Sequence, residues 1–453
     1  MTTPALKRSL GLVRSTAIVV GTIIGANIFV QPSEVSGAIP SVTGVFMVWI
    51  GAGVLTLFGA LITAELASSV PESGGVYAFL REAYSPAVGF LWVWAMFWSM
   101  HSGIIAALAL VFARYVAYFA PLGETGLRVV AVSAIAGLTA VNYCGVALGS
   151  GLQTVLTIAK VTAIGALVLA GFWLGGGLER HFVGTEVSRV PTGARDVGAA
   201  VAAGLFAFGG WHMVTYTAEE TTDPARTLPR ALIVGLLVVT AAYVALNAVY
   251  LYILPLDRVI ASDRVAADAA DALLGRGGGG GAVMSALVIG STFGALAGIV
   301  LVGPRVYYAL ARDGLLFRWV GAVHPRFRTP HRAIVLQGVW AGVLVATGTY
   351  RALFTRVIYT EWFFFAAMAL GLLLLRRRPS HSPAYRVPGG GVIPVVFAVA
   401  ALLVAVSQMV AHPANSLVGL SLVLIGLPVY WGWGLGTRGR GMPWKLRGPN
   451  HDP

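Results

Sequence analysis

Apolar residues recur along this chain in runs of the length that crosses a bilayer, which takes about 20 residues. About twelve such runs lie near residues 15–39, 44–68, 87–118, 128–146, 151–175, 197–218, 230–254, 281–311, 333–349, 353–375, 391–411 and 416–434. The third and eighth are the longest and imply helices that tilt or project beyond the bilayer. Two runs are interrupted. The first, Ser15 to Ile39, carries Gly21, Gly25 and Asn27 within GTIIGANIFV, poor material for an unbroken helix. The sixth, VAAGLFAFGGWHMVTYTAEE, carries Gly209 and Gly210. A helix that unwinds at membrane depth exposes backbone N–H and C=O groups, which is tolerated only against protein or a cavity. Each break is therefore a close-packed interface of small residues or a binding site. Two breaks five runs apart favour the site, because an odd number of spans inverts the second copy and turns the breaks toward one another at the midplane.

The pattern predicts an all-α integral membrane protein of about twelve transmembrane helices, helices 1 and 6 broken at mid-membrane. Its expected organisation is an N-terminus over 1–14, a first five-helix repeat over 15–175, an inverted second repeat over 197–375, helices 11 and 12 over 391–434, and a C-terminus over 435–453. The Gly277–Gly281 run resembles a flexible joint before the eighth span.

Composition narrows the classes. Hydrophobic residues make up 57% of the 453 residues and charged residues only 11%, against about 25% charged in soluble domains. A net charge of +13 would suggest nucleic acid in a soluble chain. Here the basic residues fall between apolar runs, so they set topology and no nucleic-acid partner is expected. With the N-terminus inside, the inner loops collect Arg226, Arg230, Arg312, Arg318, Arg326, Arg328, Arg332, Arg376–Arg378, Arg438, Arg440, Lys445 and Arg447, while the outer ones hold Asp257, Asp263, Asp268 and Asp271. That bias puts both termini in the cytoplasm. No cleavable leader pattern precedes the first run. One cysteine, Cys144, excludes an internal disulfide framework and a cysteine-based metal cluster, and no cofactor is implied. An intramembrane enzyme would need clustered Asp, Glu or His at membrane depth, and a channel a ring of polar residues. The sequence carries neither.

Several ordered motifs carry a family resemblance. They are IIGANIFVQPSEVSG in the first span, AELASSVPESGGVYAFLREAYSP after the second, and FAFGGW followed by EETTDPARTLPRAL in the sixth. GPRVYYALARDGLLF and HPRFRTPHRA follow in the eighth span and its loop, and TEWFFFAAMALGLLLLRRRP in the tenth. From about Leu10 to Arg386 the chain resembles the amino acid–polyamine–organocation superfamily, nearest its L-type amino acid transporter branch. The resemblance implies a LeuT-like fold and secondary transport of amino acids by alternating access. The physics of the breaks agrees: half-helix N-termini attract a carboxylate and unwound carbonyls accept from an ammonium, a pairing suited to a zwitterion.

By the resemblance, the carboxylate falls to Gly25, Ala26 and Asn27, and the ammonium to carbonyls near Ile23, Ile24, Phe206, Ala207 and Phe208, beside Gly209 and Gly210. The family usually has Gly-Ser-Gly where this chain has Gly25-Ala26-Asn27, so Asn27 either reaches the substrate or caps the broken helix. Lys160, about nine residues into the fifth span and so roughly 13 Å deep, matches a lysine that takes the place of a bound sodium ion in relatives. That carry-over predicts sodium-independent transport, and Lys160 is also a candidate to release a proton during the cycle. An intramembrane charge is a functional candidate by default. Glu361 near the start of the tenth span is a structural acid or a proton-coupling site. Trp211 suits packing or gating, and His212 beside it could titrate near neutral pH, although a lone membrane histidine is more often a hydrogen-bonded packing residue. Glu65 is expected to anchor the SGGVY loop, and Glu219 and Glu220 to pair near Arg226 and Arg230. A polyamine or cationic amino acid antiporter is the alternative, disfavoured because the breaks hold no acid. Heavy-subunit partners of the animal branch need an outer cysteine, whereas Cys144 falls toward the inner end of the fourth span, so no disulfide-linked heavy subunit is expected. The excess of Arg over Lys fits a prokaryotic inner membrane.

Overall fold

The computed structural model of the chain describes residues 6–174, 193–262, 264–274, 279–348, 360–411 and 413–437. Asp263, Gly277 and Gly278 of the glycine run, residues 353–359 of the expected tenth span, and Arg438, Arg440, Lys445 and Arg447 of the C-terminus lie outside the described residues.

The chain runs through α1 (Leu12–Ile23), α2 (Asn27–Ala38), α3 (Val42–Ser69), α4 (Val76–Ala83), α5 (Pro86–Ala95) and α6 (His101–Val116). It continues through α7 (Glu124–Tyr143), α8 (Val146–Leu174), α9 (Ala194–Ala207), α10 (Pro224–Ile253), α11 (Leu256–Ile260) and α12 (Val265–Leu274). The remainder is α13 (Gly280–Val302), α14 (Pro304–Arg312), α15 (His331–Thr347), α16 (Thr360–Leu375), α17 (Val392–Ala411), α18 (Pro413–Leu424) and α19 (Gly426–Thr437). Nine described helical stretches are at least 18 residues long and apolar enough to cross a membrane, and the shorter Leu12–Ile23, His331–Thr347 and Thr360–Leu375 bring the segments to the expected twelve. The architecture is an all-helical multi-pass membrane fold of the LeuT-like class.

Pairs five spans apart lie against one another. Broken span 1 meets broken span 6 (α2 on α9), span 2 meets span 7 (α3 on α10), span 3 meets span 8 (α6 on α13), and span 4 meets span 9 (α7 on α15). The side chains are distributed inside out relative to a soluble protein. Leu169, Trp173 and Val410 point outward, where lipid tails replace water as the solvent. Ser150, Gln153, Thr157 and Lys160 of α8 are buried, as polar groups in hydrocarbon must be.

Both breaks appear where the glycines put them. α1 ends at Ile23, the backbone of Ile24 is extended, and α2 starts at Asn27. α9 ends at Ala207, and a 3-10 segment, Trp211–Glu220, continues the sixth span in place of the expected α-helix. Gly21 lies inside α1, not in the break. A Cβ there would run into the Gln153 and Thr157 side chains of α8, so close packing accounts for this glycine while the break belongs to residues 24–26. The third span contains a π-helical turn, Met96–Met100, between α5 and α6. The fifth begins at Val146, which puts Lys160 fourteen residues in, about 21 Å along the helix, deeper than its apolar run implied.

Candidate functional site

The two breaks face each other and are stitched together by side chains. The Tyr243 hydroxyl of α10 lies 3.1 Å from the Ile23 carbonyl and 3.0 Å from the Ala207 carbonyl, so its single proton is shared between one acceptor on each broken helix. Asn27 Nδ2 donates to the Phe206 carbonyl at 3.4 Å. Thr22 Oγ1 lies 3.3 Å from the Gly210 carbonyl. Gly210 has φ +98, and a Cβ on it would sit 3.1 Å from the Thr22 carbonyl oxygen. Backbone conformation and space both demand glycine there. Asn27 does not cap its own helix: Ala26 holds the N-cap position of α2 without a side-chain cap. The first N–H groups of α2 thus keep the free donors of any helix start.

Behind the first break stands Lys160. Its Nζ donates to the carbonyls of Ile24 at 2.6 Å, Ser291 at 2.9 Å and Gly21 at 3.3 Å. Three acceptors for three N–H bonds satisfy an ammonium completely. The Ser291 hydroxyl lies 3.2 Å from the Gly25 carbonyl, so span 8 also holds the unwound turn. Gly294 and Gly298 of α13 make room: a Cβ on Gly294 would lie 2.9 Å from Lys160 Cε, and one on Gly298 2.9 Å from Gln153 Nε2. Thr157 Oγ1 donates to the Ala17 carbonyl at 3.0 Å.

Between the breaks is a cavity of about 120 Å³. Of the residues singled out in the sequence, Ile23, Gly25, Asn27, Phe206, Gly209, Gly210, Trp211 and Glu361 line it. Ile24, Ala26, Ala207 and Phe208 stand behind the wall, all buried. The Ile24 carbonyl turns to Lys160, and the Phe208 ring packs against Tyr243 and Trp49, with centroids 5.0 and 6.5 Å away. Phe208 is therefore a packing residue. Thr22, Leu108, Ala295, Ile299, Trp362 and Phe365 complete much of the lining. Trp211 packs against Phe365, centroids 5.2 Å apart, and Phe365 against Trp362 at 5.7 Å. Tyr243, Ser291 and the π-turn were not singled out in the sequence. A tyrosine in the middle of the apolar α10 was the available signal for the first.

One end of the molecule is closed by charge. Glu220 and Arg305, both fully buried, form a two-pronged pair at 2.6 and 2.9 Å, and Arg305 also donates to the Leu301 carbonyl. Glu219 accepts from Arg312 at 2.7 Å and from the Ser73 backbone N–H at 3.4 Å. These partners replace the expected Arg226 and Arg230: Arg226 turns to Asp223, 3.9 Å away. Glu65 does not hold the SGGVY loop. It binds Arg376, His381 and the Val387 N–H, because span 2 ends beside the segment that follows span 10. The loop is instead held by Glu219 and by the Tyr216 carbonyl, which accepts from Gly74 N–H at 3.4 Å. Asp313 gathers Tyr77 and Arg81, and Arg81 also reaches Glu72 at 2.8 Å. Burial, then the Asp313 carboxylate, pushes the Tyr77 phenol well above its ordinary range, so it stays a donor. Ser9 and Leu10 N–H groups donate to the Glu220 carbonyl at 2.8 and 3.0 Å, and Thr222 N–H returns to the Leu10 carbonyl at 2.9 Å. The segment before α1 is thereby laced to the end of the sixth span.

Comparison with known proteins adds to this geometry. The family model for amino acid permeases matches residues 10–431. The chain is similar to the serine/threonine exchanger SteT of Bacillus subtilis, 32% identical over 94% of this chain and 97% of that protein. It is 30% identical to the human b(0,+)-type amino acid transporter 1 over 95% of this chain and 88% of the relative. It is also 30% identical to the human large neutral amino acids transporter small subunit 2 over 94% and 80% of the two chains.

Proposed function

The chain belongs to the amino acid permease family, and from that premise we propose that it moves small neutral amino acids across a membrane by alternating access, without sodium. The substrate carboxylate binds the N–H groups of Gly25, Ala26 and Asn27 at the start of α2. Its ammonium binds the second lone pair of the Ile23 carbonyl at the first break, beside the Tyr243 hydroxyl, and takes over from the Asn27 amide on the Phe206 carbonyl at the facing break. The observation that carries the reading is the cavity enclosed by two unwound helices, with the N–H groups of a helix start at the first break and, beside and across from it, backbone carbonyls that accept from exchangeable side-chain donors. A cavity of only about 120 Å³, walled by Trp211, Trp362 and Phe365, favours small side chains. SteT, named for serine and threonine, agrees with that size.

Lys160 supports sodium independence. Its ammonium occupies the point where the Gly21, Ile24 and Ser291 carbonyls converge, and it supplies the fixed positive charge that a metal ion would otherwise bring. The first ten spans are read as two inverted repeats, 15–175 and 197–375, supported by the packing of spans 1 to 4 on their counterparts five further on. Transport proceeds by exchange or with a proton, in the inner membrane of a prokaryote, with both termini cytoplasmic. The ion-paired end is then the cytoplasmic gate, closed in this conformation by Glu220–Arg305 and Glu219–Arg312. Trp211, in the cavity wall at the start of the 3-10 segment, gates the substrate. Cys144 at the end of α7 is exposed but stands at that same end, so no disulfide-linked heavy subunit is needed.

The test is uptake into proteoliposomes loaded with unlabelled substrate, using a panel of the twenty amino acids and common amines with and without sodium. Small neutral amino acids should exchange equally in both media. A panel in which nothing moves would overturn the reading, and an absolute need for sodium would overturn the role of Lys160.

A further inference from the structure

Glu361 lies in the cavity wall, and a line of buried titratable groups leads away from it. Its Oε1 is 3.8 Å from Nε2 of His212, whose side chain is fully buried. Neither ring nitrogen of His212 has a hydrogen-bond partner among the described residues, and neither has Nε2 of His101. The Tyr216 ring lies between the two imidazoles, 5.6 Å from each. The Tyr307 hydroxyl is 3.4 Å from His101 Nδ1 and 3.5 Å from the Met96 carbonyl. Met96 opens the π-turn of the third span, a distortion that releases backbone carbonyls from the helix ladder and often marks functional positions.

Buried polar atoms of native proteins are nearly always paired with protein or ordered water. Two histidines with unpaired nitrogens in one pocket are therefore unexplained by packing alone. Trp92, Trp211 and Phe365 pack around His212, centroids 4.9 to 5.7 Å away, and bring no charge. The titratable groups facing it are Glu361 from the tenth span, Tyr216 from the sixth and, beyond Tyr216, His101 from the third, with Tyr307 of the eighth against His101. Arg305 turns to Glu220, and Lys160 to its three carbonyls. A substrate ammonium would use Glu361 alone and leave the groups behind it without a task. A carboxyl and an imidazole 3.8 Å apart need only a small side-chain rotation to share one proton.

We propose that Glu361 and His212 together bind the coupling proton of transport, and that Tyr216, His101 and Tyr307, with ordered water between them, pass it toward the ion-paired end. This rests on the transport reading above and chooses proton coupling within it. A proton from cavity water adds to the Glu361 carboxylate, moves to His212 Nε2, and is released to water at the far end. No other bond forms or breaks.

The experiment uses the full-length protein in proteoliposomes containing a pH-sensitive dye, with the small neutral amino acid that exchanges best as probe. With the lumen one pH unit more alkaline than the outside, wild type should acidify the lumen on substrate addition. It should also accumulate substrate up to about tenfold, since one unit of proton activity is a factor of ten. Glu361→Gln should lose both. Tyr307→Phe, which leaves the cavity lining intact, should slow acidification several-fold while substrate exchange at equal pH is unchanged, and it decides the matter if Glu361→Gln is inactive throughout. Wild-type exchange with no lumenal acidification and no response to the gradient would overturn the proposal while leaving amino acid transport standing. Acidification undiminished in both variants would also overturn it. No transport of any amino acid by wild type would instead overturn the reading beneath it.

Discussion

Replacing Lys160 by methionine keeps the length and apolar stem of the side chain and removes its charge and donors. The two short bonds, to Ile24 at 2.6 Å and Ser291 at 2.9 Å, fix the unwound turn of span 1 to span 8. Net values for bonds to charged groups are about 1.5–3 kcal/mol each. They do not add fully here, because removing a buried charge also removes its desolvation penalty. The Ile24 carbonyl, moreover, keeps the Ser291 hydroxyl at 3.4 Å. The net loss falls to about 2–3 kcal/mol of support for the shaped break, the upper part of the range for one such bond. Only molecules with that break formed bind substrate, and apparent affinity falls in proportion to their fraction. The half-saturation concentration should therefore rise about 30- to 140-fold, at 1.4 kcal/mol per tenfold. The assay is the concentration dependence of exchange in sodium-free proteoliposomes, with the amount of folded protein equalised by size-exclusion chromatography. A half-saturation within about threefold of wild type would refute the reasoning, because the three carbonyls would then hold their shape without the ammonium.

Three further outcomes follow from the same contacts. Tyr243→Phe removes the hydroxyl shared between the breaks and leaves no void. At about 0.5–1.5 kcal/mol for one neutral hydrogen bond, apparent affinity should weaken about 2- to 12-fold in the same exchange assay. Asn27→Gly removes the link to Phe206 and opens the cavity, so competition with unlabelled amino acids should shift toward larger side chains; an unchanged order of competitors would count against Asn27 shaping the pocket. Arg305→Met leaves Glu220 buried without its partner and should destabilise the protein by about 3–5 kcal/mol. Adding Glu220→Leu should recover much of that in a thermal unfolding measurement in detergent.

The sequence made the twelve spans and both breaks legible, because apolar run length and paired glycines report directly on membrane crossing and on helix failure. It marked Lys160 through the resemblance as a lysine in the place of a sodium ion, and the structure puts its ammonium on carbonyls of spans 1 and 8. It could not separate Gly21, which admits Gln153 and Thr157, from Gly25, which lies in the break, since composition alone does not distinguish close packing from unwinding. Partners of charged loop residues were misplaced for a related reason. Glu220 was paired with nearby arginines in sequence, whereas the inverted topology brings Arg305 of the eighth span beside it. Tyr243 is one of three tyrosines in α10, and nothing in the sequence sets it apart from Tyr250 and Tyr252 as the one that meets both breaks. The π-turn escaped because Met96–Met100 is ordinary helical sequence.

The central claim is that an amino acid sits between the two breaks. Determining the structure of the full-length protein with a small neutral amino acid at saturating concentration tests it most directly. The account predicts the ligand in the cavity, its carboxylate within hydrogen-bond distance of the Gly25–Asn27 N–H groups and its ammonium against the Ile23 and Phe206 carbonyls. A ligand bound elsewhere, or an empty cavity under saturating substrate, would contradict it.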